Sequence, residues 1–235
     1  MDISIIIPAY NEAKRIVFTI ERTMAFMAQR PWTYELLVVD DGSVDGTADQ
    51  VDQLAKNAPA LRCIRNPANR GKGFSIRNGV GHAAGSCIGF MDADYKTDIA
   101  AIDRVMDLMV SGCDGVIGDR TMATSSISVA RRRFRQWGTD LFRQLLHRWI
   151  GLSQFPDTQC GFKFFRSDVM RDLFARQKVD GYMFDVEILM LATSAGYDVR
   201  RISVEWQDDP DSRFNPVTGM IRNLRELYCI KSSHP

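Results

Sequence analysis

The sequence predicts an α/β protein built on a mainly parallel sheet, and three observations carry that expectation. Short apolar runs alternate with helical stretches in the rhythm of βαβ units. The runs are continuous rather than alternating, as in strands covered on both faces. Three of them end in polar turns, Pro8–Glu12, Asp40-Asp41 and Asp92-Ala93-Asp94. In such a sheet those turns lie beyond the carboxyl ends of the strands, where ligands bind.

The elements follow in order. Ile3–Ile7 is a β-branched run and reads as a buried strand. A helix follows from about Ala13 to Ala28, ended near Arg30-Pro31. Tyr34–Val39 is the second strand, stopped by Asp40-Asp41-Gly42-Ser43, and Gly46-Thr47 leads into a helix reaching about Lys56. Leu61–Arg65 is the third strand. The segment from Asn66 to Gly73 is a loop, followed by a helix to about Ala84. Cys87–Met91 is the fourth strand, Ile99–Val110 a helix and Gly115–Ile117 a short fifth strand. The second half is less regular. It predicts a helix from about Arg132 to Trp149, a strand over Phe162–Phe165 and a short helix over Val169–Phe174. A helix over Asp185–Ser194, a strand over Val199–Val204 and a closing helix over Val217–Ile230 complete it. No composition break divides the chain, so residues 1–235 are expected to form a single domain.

The 235 residues are 45% hydrophobic and 25% charged, with 17 Gly and 8 Pro, which excludes disordered, collagen-like and low-complexity classes. Thirty basic residues against 29 acidic ones leave a net charge of +1, so overall charge does not point to a nucleic-acid partner. No apolar run approaches the roughly 18–20 residues of a membrane span. Asp2 stands where a signal peptide would be basic. The expected location is cytoplasmic, with peripheral contact at the inner face of the membrane left open. Five cysteines without a C-x-x-C pair read as free thiols.

Two carboxylates spaced i, i+2 at Asp92 and Asp94 can hold a hard divalent cation, Mg²⁺ or Mn²⁺. A solvated turn is the plain alternative. Asp40 and Asp41 can accept from a base N–H or a ribose hydroxyl, or cap the next helix. The turn with Pro8, Tyr10 and Glu12 offers backbone groups, a ring and a carboxylate. Asn69-Arg70-Gly71-Lys72-Gly73 sets cations among glycines before a helix, which suits phosphate, although it is not a P-loop. Between Arg131 and Arg148 stand six Arg against one Asp, either a solvated face or a membrane-surface helix. Asp185 could serve as a general base for a hydroxyl acceptor, or be a helix-start carboxylate that pairs with an arginine. Cys160 reads as a small packed residue, and His82, His147 and His234 show no ligand spacing.

Taken in order, Pro8-Ala9-Tyr10-Asn11-Glu12, Val38–Ser43, Asn69–Gly73 and Met91–Asp94 resemble glycosyltransferase family 2. The segments Asp157–Phe165 and Phe184–Glu187 are similar to the branch that makes dolichyl- or polyprenyl-phosphate hexoses, glucose or mannose. The resemblance implies a GT-A fold, with a Rossmann-like nucleotide-sugar half at about 1–118 and an acceptor half at about 119–235. It implies an inverting, metal-assisted hexose transfer from a nucleotide sugar, UDP-glucose ahead of GDP-mannose, to a polyprenyl phosphate. The donor residues it implies are Pro8, Tyr10, Glu12, Asp40, Asp41, Lys72, Asp92, Ala93 and Asp94, with Asp92 and Asp94 at the metal. Arg120, Arg132, Arg135 and Arg213 would meet the acceptor phosphate, and Asp94, Arg120, Asp185 and Arg213 would carry the catalysis. Alternatives are transfer to a soluble hydroxyl acceptor with Asp185 as base, or a non-catalytic nucleotide-sugar-binding subunit. The expected partners are the donor, the acceptor and either a membrane surface or a membrane subunit. Tyr95-Lys96 stands where mannose synthases carry Leu-Gln, and Asp119 replaces a serine before Arg120.

Overall fold

The computed structural model describes residues 1–123, 125, 150–207 and 216–234. Seven strands form one sheet: β1 (Ile3–Ala9), β2 (Tyr34–Asp40), β3 (Leu61–Arg65), β4 (Cys87–Met91), β5 (Gly115–Asp119), β6 (Phe162–Arg166) and β7 (Val199–Ser203). Their order is β3-β2-β1-β4-β6-β5-β7. The pairs β1–β2, β1–β4, β2–β3 and β5–β7 are parallel, and β6 runs antiparallel to both β4 and β5. The described helices are α1 (Ile16–Met27), α2 (Thr47–Ala55), α3 (Lys72–His82), α4 (Ile102–Val110), α5 (Ser167–Arg176), α6 (Phe184–Ser194) and α7 (Pro216–Ser233). A single 3₁₀ turn over Ile99–Ala101 precedes α4.

Every predicted element within the described residues is present, most with ends shifted by one to three residues. The first helix starts at Ile16 rather than Ala13, after a turn in which the backbone N–H groups of 11–13 donate to Ser43, Thr47 and Asp45. The expected helix over 132–149 lies outside the described residues.

The parity of the strands explains the two-sided core. Ile6, Leu37, Val39, Phe90 and Phe165 face one side, with α5 and α6. Ile5, Ile7, Leu36, Val38 and Phe164 face the other, with α1. Helix α6 is buried from Phe184 to Ala192, as its nearly all-apolar sequence requires. No described helix is long and apolar enough to cross a membrane.

Strand β6 inserts Phe162, Phe164 and Phe165, all fully buried, between two other strands. Glycines at matching register make the room. Gly89 faces Phe164 and Gly115 faces Phe165. A Cβ at Gly89 would stand 2.0 Å from the Phe164 ring.

Gly89→Ala should therefore overpack the sheet and lower stability by about 1–3 kcal/mol. Gly81→Ala, on α3 with open space around it, should be neutral or slightly stabilising. Thermal unfolding of the two variants checks the contrast.

Candidate active site

The ends of β1 and β2 are stitched together. Asn11 adopts φ +54°, a left-handed conformation that asparagine tolerates. Its N–H donates to Ser43 Oγ at 2.9 Å, and its Oδ1 accepts from Val44 N–H at 3.0 Å. Glu12 N–H donates to Thr47 Oγ1 at 2.9 Å. The Glu12 carboxylate takes a bidentate pair from Arg15, both bonds 2.8 Å. Tyr10 stands exposed beside this turn and Pro8 is half-buried.

The two adjacent aspartates do different work. Asp41 accepts from Asn66 Nδ2 at 2.8 Å, Gly71 N–H at 2.8 Å and Arg70 N–H at 3.1 Å. It clamps the 66–71 loop. Asp40 Oδ2 accepts from Ser43 N–H at 3.1 Å. Its Oδ1 is buried with no hydrogen-bond partner among the described residues. An unpaired buried acceptor is costly unless a ligand donor fills it.

The glycine-rich loop is shaped by close approach. Gly71 has φ +112°, and a Cβ there would stand 2.5 Å from the Asp180 carbonyl oxygen. Asp180 in turn holds Arg77 at 2.6 Å and Arg70 at 3.2 Å. This brings Lys72, the first residue of α3, to Asp92, with Nζ 2.6 Å from Oδ1.

Around Asp92 the chain gathers a six-membered set of buried and half-buried charges. Lys163 on β6 has no solvent exposure. Its ammonium donates to Asp185 Oδ1 at 2.5 Å and to the Cys160 carbonyl at 2.6 Å. Arg120 donates through Nε and a terminal nitrogen to Asp157, both at 2.7 Å, and through its backbone N–H at 2.9 Å. Burial works against the Asp92 charge, yet Lys72, Lys163 and Arg120 hold its carboxyl below the ordinary value. Burial opposes Asp157 in the same way, and Arg120 holds it low. For Asp185 burial prevails and lifts its pKa, against the pull of Lys163 and Lys72. Gly161 closes the group, since a Cβ there would meet Asp92 Oδ2 at 2.0 Å.

Arg120 turns its fork to Asp157. Asp185 pairs with a buried lysine, where the sequence suggested an arginine as its structural partner. Lys163 and Asp157 are the members that reasoning on the sequence left without a role. The readable signal for Lys163 was a lone lysine in Phe162-Lys163-Phe164-Phe165. Asp119, fully buried, bonds Thr121 and Arg201. Cys160 is buried and its thiol is pushed up to about 12, as suits packing rather than attack. Arg132, Arg135 and Arg213 lie outside the described residues.

Asp94 faces a different set. Lys96 Nζ stands 2.9 Å from Asp94 Oδ2, and an Arg15 terminal nitrogen 4.0 Å from the same oxygen. Ala93, between the two aspartates, is buried, and its carbonyl accepts from Thr19 Oγ1 at 2.7 Å. Asp92 and Asp94 offer carboxylate oxygens only, which is the donor chemistry of Mg²⁺ or Mn²⁺. Each already faces a cationic side chain, so these are places where positive charge is accommodated. No cluster of three His, Cys, Asp or Glu that could hold a metal stands among the described residues.

The sequence pattern of glycosyl transferase family 2 matches residues 4–174. The chain is similar to two dolichyl-phosphate beta-glucosyltransferases of Trichomonas vaginalis. One is 33% identical over 235 residues, covering 96% of this chain and 69% of the relative. The other is 35% identical over 238 residues, covering 97% and 72%. The fold is similar to that of glucosyl-3-phosphoglycerate synthase from Mycobacterium tuberculosis, crystallised with Mn²⁺, UDP and glucosyl-3-phosphoglycerate. There the TM-score is 0.72 at 18% identity, covering 97% of this chain and 78% of that one. The GT-A architecture expected from the sequence is the architecture found.

Two outcomes test the charge network. Lys163→Met strands the buried Asp185 and should cost about 3–5 kcal/mol, whereas Lys163→Met with Asp185→Leu should recover most of it. Denaturant unfolding compares them. Folded Asp157 and Asp92 lie below the ordinary aspartate value of 3.8. Their contribution is complete above that value and drains away as the pH falls through the lower folded values. An acid series of unfolding midpoints should show a flatter acid limb for Asp157→Asn than for the parent chain.

Proposed function

The chain belongs to glycosyl transferase family 2 and is a glycosyltransferase, and from that membership we propose that it moves glucose from UDP-glucose to a polyprenyl-phosphate acceptor with inversion. The observation that carries this reading is the likeness, over nearly the whole chain, to dolichyl-phosphate beta-glucosyltransferases.

In this reading the donor base or ribose lies beside Tyr10 and the turn from Pro8, and donates to the open Asp40 Oδ1. Asp41 contributes by holding the loop that carries Lys72. Lys72, Asp92, Ala93 and Asp94 border the diphosphate. A bound Mg²⁺ or Mn²⁺ would be held by Asp92 and Asp94 and would stabilise the negative charge that develops on the leaving diphosphate. Lys72 adds a fixed positive charge toward the same oxygens.

A phosphate monoester is already an oxyanion near neutral pH, so it needs alignment more than proton removal. Arg120, Arg132, Arg135 and Arg213 are the proposed acceptor contacts, Arg120 with whatever of its guanidinium Asp157 leaves open. Asp185 then acts through Lys163 as a positioning residue. A lipid acceptor places the reaction at a membrane surface, reached by peripheral contact or through a membrane subunit, with the enzyme on the cytoplasmic side.

The test offers radiolabelled UDP-glucose or GDP-mannose with Mn²⁺, with and without a short-chain polyprenyl phosphate, followed by lipid extraction. Label should enter the organic phase from UDP-glucose alone. Asp94→Asn should lower that rate on the order of a hundredfold. Metal-dependent donor hydrolysis without lipid label, together with loss of activity in Asp185→Asn, would instead select a hydroxyl acceptor and Asp185 as base.

A further inference from the structure

The loop after Asp94 carries a charge that the donor reading does not use. Lys96 places Nζ 2.9 Å from Asp94 Oδ2, with both side chains largely shielded from solvent, at 18% and 16% exposure. Such a pair is screened far less than a surface one. The loop is also held in place. Gln207 N–H donates to the Lys96 carbonyl at 2.8 Å, and Asp98 N–H donates to Glu205 at 3.2 Å. Thr97 bridges to Trp206. Tyr95 sits at φ +53°, a strained value for this residue, with its ring edge-on to Phe18 at 5.6 Å. The lysine stem thus starts from a fixed backbone beside its carboxylate.

The charge arithmetic of the two carboxylates follows. Lys72 stands against Asp92, where Lys163 and Arg120 act as well, and Lys96 is the near cation of Asp94, with Arg15 farther off at 4.0 Å. A divalent cation arriving alone would meet two carboxylates already neutralised. A nucleoside diphosphate arriving brings the missing negative charge, toward which both ammonium groups can turn.

We propose that Lys96 is a resident cation of the donor site, which shields Asp94 from divalent metal in the free enzyme and joins the diphosphate when the donor binds. The proposal rests on the donor reading above, and its test separates the two.

The test measures Mn²⁺ binding, by the paramagnetic resonance signal of the free ion, and UDP binding in EDTA, by calorimetry. Both are run on the parent chain, Lys96→Gln and Lys96→Arg. Lys96→Gln should bind Mn²⁺ roughly three- to tenfold more tightly without nucleotide and bind metal-free UDP more weakly by a similar factor. Lys96→Arg, which keeps the charge, should stay near the parent in both. Unchanged affinity of Lys96→Gln for either probe overturns the proposal, as does an equal change in Lys96→Arg. Failure of the donor reading shows separately, as a parent chain that binds neither UDP nor GDP with or without Mn²⁺. Thermal unfolding confirms that each variant is folded.

Discussion

A lysine with no access to water must bring its counter-charge into the protein with it. Lys163 does so in the middle of the sheet, and much of the site follows from that requirement. Its ammonium lies over the Phe90 ring at 5.5 Å and holds Asp185 at the start of a buried helix. Lys72 shares the Phe90 ring at 5.9 Å and lies 5.8 Å from Phe184. Asp92 stands within the field of both. Buried ion pairs add little net stability, because desolvation offsets attraction. What they do supply is placement, since neither partner can leave without stranding the other. The carboxylate next to the expected diphosphate is thereby held ionised at one location.

The other organising feature is the division of labour between Asp40 and Asp41. One ends a strand and the other begins a turn, so their side chains leave in different directions. Asp41 closes on backbone N–H groups of the glycine-rich loop, and the approach is so close that Gly42 and Gly71 both take left-handed backbone angles. A Cβ at Gly42 would press on Ala68 at 2.8 Å. Asp40 keeps one oxygen unpaired. A loop clamped on one side and an unpaired acceptor on the other suit a polar ligand whose donor would fill that acceptor.

The five strands of the first half were legible because each is a short apolar run ended by a breaker, and burial on both faces demands such runs. The convergence of their polar ends was legible from the rule for parallel sheets. Strand direction was not, since an apolar segment reads the same whether it runs up or down; the antiparallel setting of β6 therefore came only with the structure. Which of Asp40 and Asp41 stays open depends on a loop some thirty positions away in sequence. The Arg120–Asp157 pair spans a similar gap. The pairing of Lys163 with Asp185 depends on packing a strand against a helix, which no local pattern encodes. Motif residues announced where chemistry gathers, but their partners were settled by tertiary contact.

The central position of β6 bears on how the chain is made. The ladder β3-β2-β1-β4 and the pair β5-β7 have no common hydrogen bonds until β6 joins them. β4 ends at Met91, whereas the strand that covers its edge starts at Phe162. During synthesis, β4 and β5 therefore wait with bare edges while a long stretch of polypeptide leaves the ribosome. Unpaired edges of apolar strands invite pairing with other chains, and contacts so distant in sequence form slowly. The same insertion that seats a charged residue at the heart of the mature protein leaves the edge of β4 uncovered until β6 is made, and one edge of β5 uncovered until β7 follows.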